Sequence, residues 1–583
     1  MNSSLEQKRH TLAHLLAAEV LKRYPEAKLT LGPAIENGFY YDIDFSQGES
    51  LREDDLKSLQ ESMVKQLPTW TEFTHQEVSE PTARELFSDN KYKLELIDEI
   101  VKKNEPITLY TCNGFTDLCR GGHCQNPAHD IASDSFLLDK IAGAYWRGDE
   151  KNSMLTRIYG LAFDTKAELD KYLEHREEAK KRDHRKIAKE QDLLVFSDLV
   201  GSGMPMWTPR GNILRNAVVE YSRELNDRLG FGEVYTPNIN KADLFKLSGH
   251  YDQYKEDMLS VSSQYVDEEM FLKPMNCPQH TQIFASRPRS YKDLPIRYSD
   301  FANLYRDERP GELSGLTRLR AFAQDDGHVF CRYQQIESEI SNILEVIEEA
   351  LKTYNIAYWM RLSLRDDVNK EKYLGEDSVW EESEGILKKL LQEKKIDHKE
   401  VTGEAAFYGP KVDIMAVDAL DREWQISTVQ LDFSQPERFD LNCINEKGEK
   451  ERVVMIHRAL IGSPDRFLGI LIEHYAGAFP LWLSPEQVRV LPVAVAHTEF
   501  AQGVVDQLKT AGIRAEIDDT NESLGKKIRS AKQDKLPYFA VVGDKEASSN
   551  TIALEKHNGD KVEGSVEELI EKLVTEIKNR TID

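Results

Sequence analysis

Between residues 301 and 330 the chain reads FANLYRDERPGELSGLTRLRAFAQDDGHVF, two strand-like runs around a loop rich in Gly and Pro. That pattern predicts a hairpin. Arg306 and Arg318 then stand on its facing arms, where guanidinium forks can clamp a polyphosphate through charge-assisted, bidentate contacts. A surface hairpin laced by salt bridges would carry the same Arg-x-Glu, so a second segment has to decide. HRALIGSPDRFLGILIEH (457–474) takes a Gly462-Ser463 step into an apolar helix bearing a single Arg466. On a buried face such a charge is costly unless an anion meets it. The chain has no Gly-x-x-x-x-Gly-Lys loop, which argues against a P-loop nucleotide site.

The rest of the chain sorts by pattern. At 583 residues, of which 40% are hydrophobic, it is long enough for several ordinary cores. Residues 5–22 place Leu12, Leu15, Leu16 and Val20 at helical spacing, and LGPAIENGFYYDIDF (31–45) reads as strands around an Asn-Gly turn. A charged stretch free of Gly and Pro follows Thr165 and predicts a solvated connecting helix. Strands and helices mix in the long central region, including a helix over 333–354, and short strands alternate with helices from 484 onward. The expected division is therefore 1–164, a helical linker over 165–192, a core over 193–483 and a compact α/β domain over 484–583. The formal charge of −25 argues against a uniformly basic coat but not against a local basic groove for RNA. Six cysteines in so long a chain make no disulfide framework and suit a reduced, cytoplasmic protein. No membrane span and no targeting signal are expected.

The two arginine segments, with Pro237 in GEVYTP, resemble the three signature motifs of class II aminoacyl-tRNA synthetases. The resemblance implies an antiparallel catalytic sheet flanked by helices, a homodimer formed through the Pro-containing motif, and ATP bound with Mg²⁺. Arg306 would hold the α-phosphate, Glu308 the adenine side, and Phe322 would stack on adenine. Arg318 and Arg466 would grip the β- and γ-phosphates, with Gln425, Thr428 and Ser463 completing the ATP site.

Longer matches narrow the family. KPMNCP, Gln-Asp-Asp-x-His, GEAAFYGPKVD, WQISTVQLDF and VMIHRA stand as threonyl-tRNA synthetases have them. A seryl or prolyl enzyme would lack this set. Spacing alone gives Cys277, His328 and His457 no local zinc signature. The resemblance makes them the ligands of one zinc, with Gln324, Asp326, Tyr408 and Gln430 around threonine and Lys411 near its carboxylate. It also implies partners: L-threonine, ATP and tRNA(Thr). A site that demands a hydroxyl rejects valine strongly, whereas serine keeps the hydroxyl and loses only a methyl, worth about 1–3 kcal/mol. Misloading with serine is therefore expected, and a hydrolytic site with it.

His10 and His14, four residues apart on the opening helix, share a face, and Cys119 and His123 in DLCRGGH form a similar pair. By composition this is a metal site or a hydrolytic pocket. RHTLAHLL, NGFYYDID, YKLELI, DLCRGGH and AGAYWRGD resemble the editing domain of the same family. That resemblance adds Tyr41, Lys93 and Asp117 and implies hydrolysis of seryl-tRNA, here expected without a metal. The last 100 residues resemble its anticodon-binding domain, with Asn521 and Glu546 at base-reading positions and Lys526, Lys527 and Arg529 facing phosphates. His250 matches a position near the terminal ribose of tRNA. Departures are Tyr305 and Ala321 in the hairpin, Glu555 where an arginine is common, and the expectation of a short form without the ubiquitin-like domain that precedes His10 in many relatives.

Overall fold

The structure, a computed structural model, describes residues 4–46 and 50–582. The chain divides into two compact units, Met1–Glu177 and Glu178–Asp583.

In the first unit the helix Leu5–Arg23 is started by a reciprocal cap between Ser4 and Gln7. Its Leu12, Leu15, Leu16 and Val20 are buried with Phe39, Tyr41 and Ile43 of strand Gly38–Asp44. That strand lies between Lys28–Leu29 and Met154–Ala162, and Phe136–Tyr145 pairs with the latter, all antiparallel. A smaller antiparallel sheet joins Thr74–Val78, Ile107–Cys112 and Phe115–Leu118.

The second unit is built on an eight-stranded sheet. Its order is Gly232–Glu233, Ile296–Tyr305, Ala321–Cys331, Val454–Ala459, Glu423–Asp432, Lys411–Val417, Ala357–Leu364 and His398–Thr402. The six inner strands are antiparallel and the two edge strands pair in parallel. The predicted hairpin is the pair Ile296–Tyr305 and Ala321–Cys331. Register sets the positions that matter. Tyr298 lies opposite His328, His328 opposite His457, His457 opposite Gln430, Gln430 opposite Lys411 and Lys411 opposite Ser363. Directly opposed residues share a face, so these six form one row across the sheet. Two residues further along, Ala459, Thr428, Asp413 and Arg361 form a parallel row.

The other face is held by a buried pair. Asp325 accepts from Arg458 Nη1 at 2.7 Å, from Ser222 Oγ at 2.7 Å and from the backbone N–H groups of Leu460 and Ile461. Ser222 belongs to helix Pro209–Arg228, so this carboxylate ties helix to sheet. Helices Ile336–Thr353 and Pro464–His474 contribute their apolar faces to the same core.

The C-terminal part is the expected α/β arrangement. Ala515–Ile517, Val488–Pro492 and Tyr538–Val542 run parallel, followed antiparallel by Thr551–Glu555 and Lys561–Ser565. The stretch expected to be one solvated helix is two, Lys166–Arg182 and His184–Glu190. The break falls at Asp183, whose side chain caps the second helix, and Ile187 and Ala188 of that helix enter the core. Among the described residues no helix is long and apolar enough to cross a membrane.

Candidate active sites

A cavity of about 550 Å³ opens where the hairpin meets the N-terminus of helix Pro464–His474. Arg306, Glu308, Arg318, Phe322, Gln425, Thr428, Ser463 and Arg466 all line it, as do Gln324 and Gln430. The Arg306 guanidinium lies 5.2 Å from the Phe322 ring centroid. Burial lowers the pKa of Arg306, although Glu308 nearby opposes the shift. Burial also lowers that of Arg466, and the charge of Arg306 adds to it. Neither guanidinium has an ion-pair partner among the described residues, and the buried Arg466 Nε lacks any hydrogen-bond acceptor. Two cations without an ion-pair partner, beside the N-terminus of helix Pro464–His474, make a receptor for a polyanion. Arg318 differs: it is half exposed and held by Glu308 Oε2 at 2.8 Å and Glu312 Oε2 at 3.0 Å.

Beside this cavity the row across the sheet brings His328 and His457 together, and Cys277, the first residue of helix Cys277–Ala285, meets them. One ligand atom from each lies within 4.8 Å of the others. His328 Nε2 and His457 Nδ1 face each other at 3.0 Å. Their outer nitrogens are engaged: His457 Nε2 meets Asp432 at 2.8 Å, and His328 Nδ1 meets His280 Nδ1 at 2.8 Å. Asp432 can take only a proton from His457, which leaves the inner nitrogen of that ring as a lone pair. A thiol and two imidazoles converging in this way, with a carboxylate behind one ring, fit a zinc ion with a free coordination position. Asp326 Oδ1 lies 3.8 Å from His328 Nε2, the Tyr408 ring stacks on His457 at 4.7 Å, and Tyr408 Oη bonds Gln430. Lys411 is held by Asp413 Oδ2 at 2.7 Å. His250 is fully buried, with Nε2 3.6 Å from Cys277 Sγ and Nδ1 2.7 Å from Ser248 Oγ, and burial lowers its pKa to about 3.

Several residues that shape this region escaped the sequence reading. Asp413 accepts from Arg361, Ser363, Lys411, Gln425 and Thr428. Asp465 accepts from Ala323 N at 2.7 Å and Trp207 Nε1 at 2.9 Å. The available signal was a lone Asp inside an apolar strand, KVDIMAV, which a buried position tolerates only when it is fully bonded.

In the first unit a second cavity, of about 980 Å³, holds His10, His14, Tyr41, Lys93, Asp117 and Cys119 in its wall. His10 Nε2 lies 3.2 Å from His14 Nε2 and 3.5 Å from Cys119 Sγ, which in turn is 3.5 Å from His123 Nε2. Cys119 and His123 converge through a turn rather than a helix face. Gly121 and Gly122 take φ of +96° and +87°, and a Cβ on Gly121 would stand 2.4 Å from Tyr110 Oη. Asp117 fixes the neighbouring groups, bonding Lys93 Nζ at 2.5 Å and Tyr41 Oη at 2.6 Å. Desolvation lowers His10 and His14 and takes His123 to about 2, so all three rings are neutral bases. The Cys119 thiol is pushed up to about 11, chiefly by burial, and is not a thiolate.

In the C-terminal part Asn521 is exposed before helix Leu524–Gln533, and Glu546 caps helix Asp544–Ser549 through the Gly543 N–H. Lys527, expected at a phosphate, is buried and donates to the Asp518 carbonyl at 2.6 Å. The helix turns that face inward, which its spacing from Lys526 did not reveal. Glu555 is paired with Lys532 and Lys561.

An antiparallel sheet with an arginine-bearing hairpin and a capped arginine helix over one cavity is a class II synthetase core. The family described as tRNA synthetase class II core domain (G, H, P, S and T) matches residues 259–475, and an anticodon binding domain matches 487–576. Threonine–tRNA ligase of Parabacteroides distasonis is 45% identical over 558 residues, covering 95% of this chain and 85% of that protein. The Synechocystis sp. enzyme of the same name is 44% identical over 588 residues, 99% of this chain and 96% of that one. Among solved structures, the RNA binding domain of threonyl-tRNA synthetase from Cryptosporidium parvum superposes with a TM-score of 0.64 at 37% identity, covering 67% of this chain and 98% of that chain. The chain belongs to the threonyl-tRNA synthetases: it activates threonine with ATP and charges tRNA with it.

The three neutral histidines have a consequence for stability. Each binds a proton in the unfolded chain near pH 6.5 but not in the fold, so their contribution is complete above about pH 6.5 and is lost as pH falls. Hydrogen exchange of peptides within 1–177, followed in the whole chain, should show opening that becomes easier between pH 7.5 and 5.5. His123→Gln should flatten that slope by roughly one proton's worth, ~1.4 kcal/mol per pH unit at most. An opening free energy independent of pH would contradict the neutral cluster.

Proposed function

We propose that the 550 Å³ cavity holds ATP and that the Cys277–His328–His457 corner beside it reads the threonine side chain. The observation that carries this reading is the adjacency of two arginines without an ion-pair partner to three metal donors that converge over one sheet face. ATP enters as its magnesium complex. Arg306 meets the α-phosphate, Arg318 and Arg466 the outer phosphates, and Phe322 and Glu308 the adenine. Positioning and charge neutralisation then carry the reaction: a carboxylate oxygen of threonine forms a bond to the α-phosphorus, and pyrophosphate leaves. Cys277, His328 and His457 would hold a zinc ion, which when bound supplies a Lewis-acid position for the amino and hydroxyl groups of threonine. Asp326, Tyr408, Gln324 and Gln430 line the amino-acid site, and Lys411 stands near the carboxylate. Transfer to the tRNA ribose hydroxyl with His250 as proton acceptor belongs to the same reading. Its Nε2 lies 3.6 Å from Cys277 Sγ, which places the ring beside the donor trio.

Within the first unit, residues 1–164 we read as the editing domain for seryl-tRNA(Thr). His10, His14 and His123 offer neutral bases to a water, and the Lys93 ammonium, held by Asp117, stabilises the charge that develops on the ester. Residues 165–192 connect it to the catalytic part over 193–483. Residues 484–583 read the anticodon, with Asn521 and Glu546 at the bases. Charging serves translation, which makes the cytoplasm the place of action. A homodimer is supported by apolar side chains left exposed between 195 and 213 and at Tyr235, among them the fully exposed Leu199. Sedimentation should give twice the chain mass of 66.9 kDa, and a 66.9 kDa species at micromolar protein would refute the dimer.

In Cys277→Ser, threonine-dependent pyrophosphate exchange should fall at least 100-fold together with bound zinc. Normal exchange with normal zinc content would refute the trio. Cys119→Ala or His10→Ala should charge threonine normally but accumulate seryl-tRNA, and absence of that product in a serine-charging assay would refute the editing role.

A further inference from the structure

His184 opens helix His184–Glu190, is buried, and has both ring nitrogens engaged. Nδ1 lies 2.6 Å from Glu473 Oε1, and Nε2 accepts the backbone N–H of Leu316 at 2.9 Å. Burial pushes Glu473 up, but bonds from His184 and Arg422 outweigh it and hold its pKa below the ordinary value. An ionised acceptor fixes the tautomer: the proton sits on Nδ1, and the lone pair of Nε2 points at Leu316. With both nitrogens used, this cluster of Asp183, His184 and Glu473 is a clamp rather than a cation site.

Leu316 belongs to the loop between the arms of the arginine hairpin, and Leu316, Thr317 and Arg318 all line the 550 Å³ cavity. The seat is tight. Gly315 has φ of +49°, and a Cβ there would stand 2.1 Å from His184 Nε2, while a Cβ on Gly469 would stand 3.0 Å from Leu316 Cβ. The bonds continue from the other side of the ring. Arg422 donates to Glu473 and to Asp418, Trp424 Nε1 donates to Asp418 at 2.9 Å, and the Arg466 guanidinium lies 5.7 Å from the Trp424 ring. One buried imidazole thus joins the loop that carries Arg318 to the framework under Arg466.

We propose that His184 is a positioning residue for the nucleotide: its neutral Nε2 holds the Leu316 main chain so that Thr317 and Arg318 are ordered over the cavity before ATP arrives. This rests on the ATP reading of that cavity. An arginine loop without the anchor must be ordered at each binding event, which raises the KM for ATP. The threonine-side residues sit on the strands of the sheet, at the start of helix Cys277–Ala285 and in the loop before Lys411, so the KM for threonine is untouched.

The test compares two variants in the whole chain by threonine-dependent ATP–pyrophosphate exchange. His184→Gln keeps an acceptor where Nε2 stood, and His184→Asn keeps only a donor where Nδ1 stood. The expected result is a KM for ATP raised about tenfold in His184→Asn, near the parent value in His184→Gln, with the KM for threonine unchanged in both. Equal KM values for ATP in the two variants, or a parallel rise for threonine, would overturn the proposal, as would failure of both to fold. Arg306→Ala separates the two readings. If it leaves ATP saturation unchanged, the ATP assignment of the cavity fails; if it abolishes exchange while His184→Asn matches the parent, only the positioning role fails.

Discussion

The pairing register of strand Ala321–Cys331 is the constraint on which the rest depends. It is bonded on both sides, to Ile296–Tyr305 and to Val454–Ala459. Because side chains alternate with period two, a slip of one residue would send His328, Asp326 and Gln324 to the far face and bring Asp325 to the near one. Asp325 makes that slip prohibitive. Its carboxylate is buried and bonded to Arg458, Ser222 and two backbone N–H groups, and breaking such a pair costs about 3–5 kcal/mol. The same lock fixes His457, the neighbour of Arg458, opposite His328.

Around this lock the structure distributes charge unevenly. Asp325, Asp413, Asp432 and Glu473 are buried and satisfied by protein donors. Arg306 and Arg466 are desolvated and, among the described residues, form no ion pair with a carboxylate. The contrast marks the cavity between hairpin and helix better than its size does. A fold that can neutralise four buried carboxylates internally leaves two guanidinium groups for something that arrives from outside.

Much of this was legible along the chain, and what was legible was local. The hairpin, the Ser463-capped helix and the opening helix are written in contiguous patterns of period two and 3.6 and in their caps. The Cys277–His328–His457 trio was not legible from spacing, because its members come from two strands and a helix far apart in the chain, His328 and His457 being 129 residues apart. Only the longer motifs around them pointed there. The buried hubs were missed for a related reason: Asp413 and Asp325 look like ordinary strand residues until their partners converge from other strands and helices. Lys527 and His184 failed in the opposite sense, since a charged helical stretch reads as solvated, yet each stretch turns residues into the core, Lys527 and Ala531 in one and His184, Ile187 and Ala188 in the other.

The row Tyr298, His328, His457, Gln430, Lys411 and Ser363 has a bearing on how such a protein can diverge. The sheet works as a ruler with one mark per strand, and each mark is counted from its neighbour. Exchanging the side chain at a mark alters one contact, whereas adding or removing a single residue within any of these strands shifts every mark beyond it. Length variation is therefore confined to the connections, and the strands carry a reading frame of their own, enforced by backbone pairing rather than by the gene.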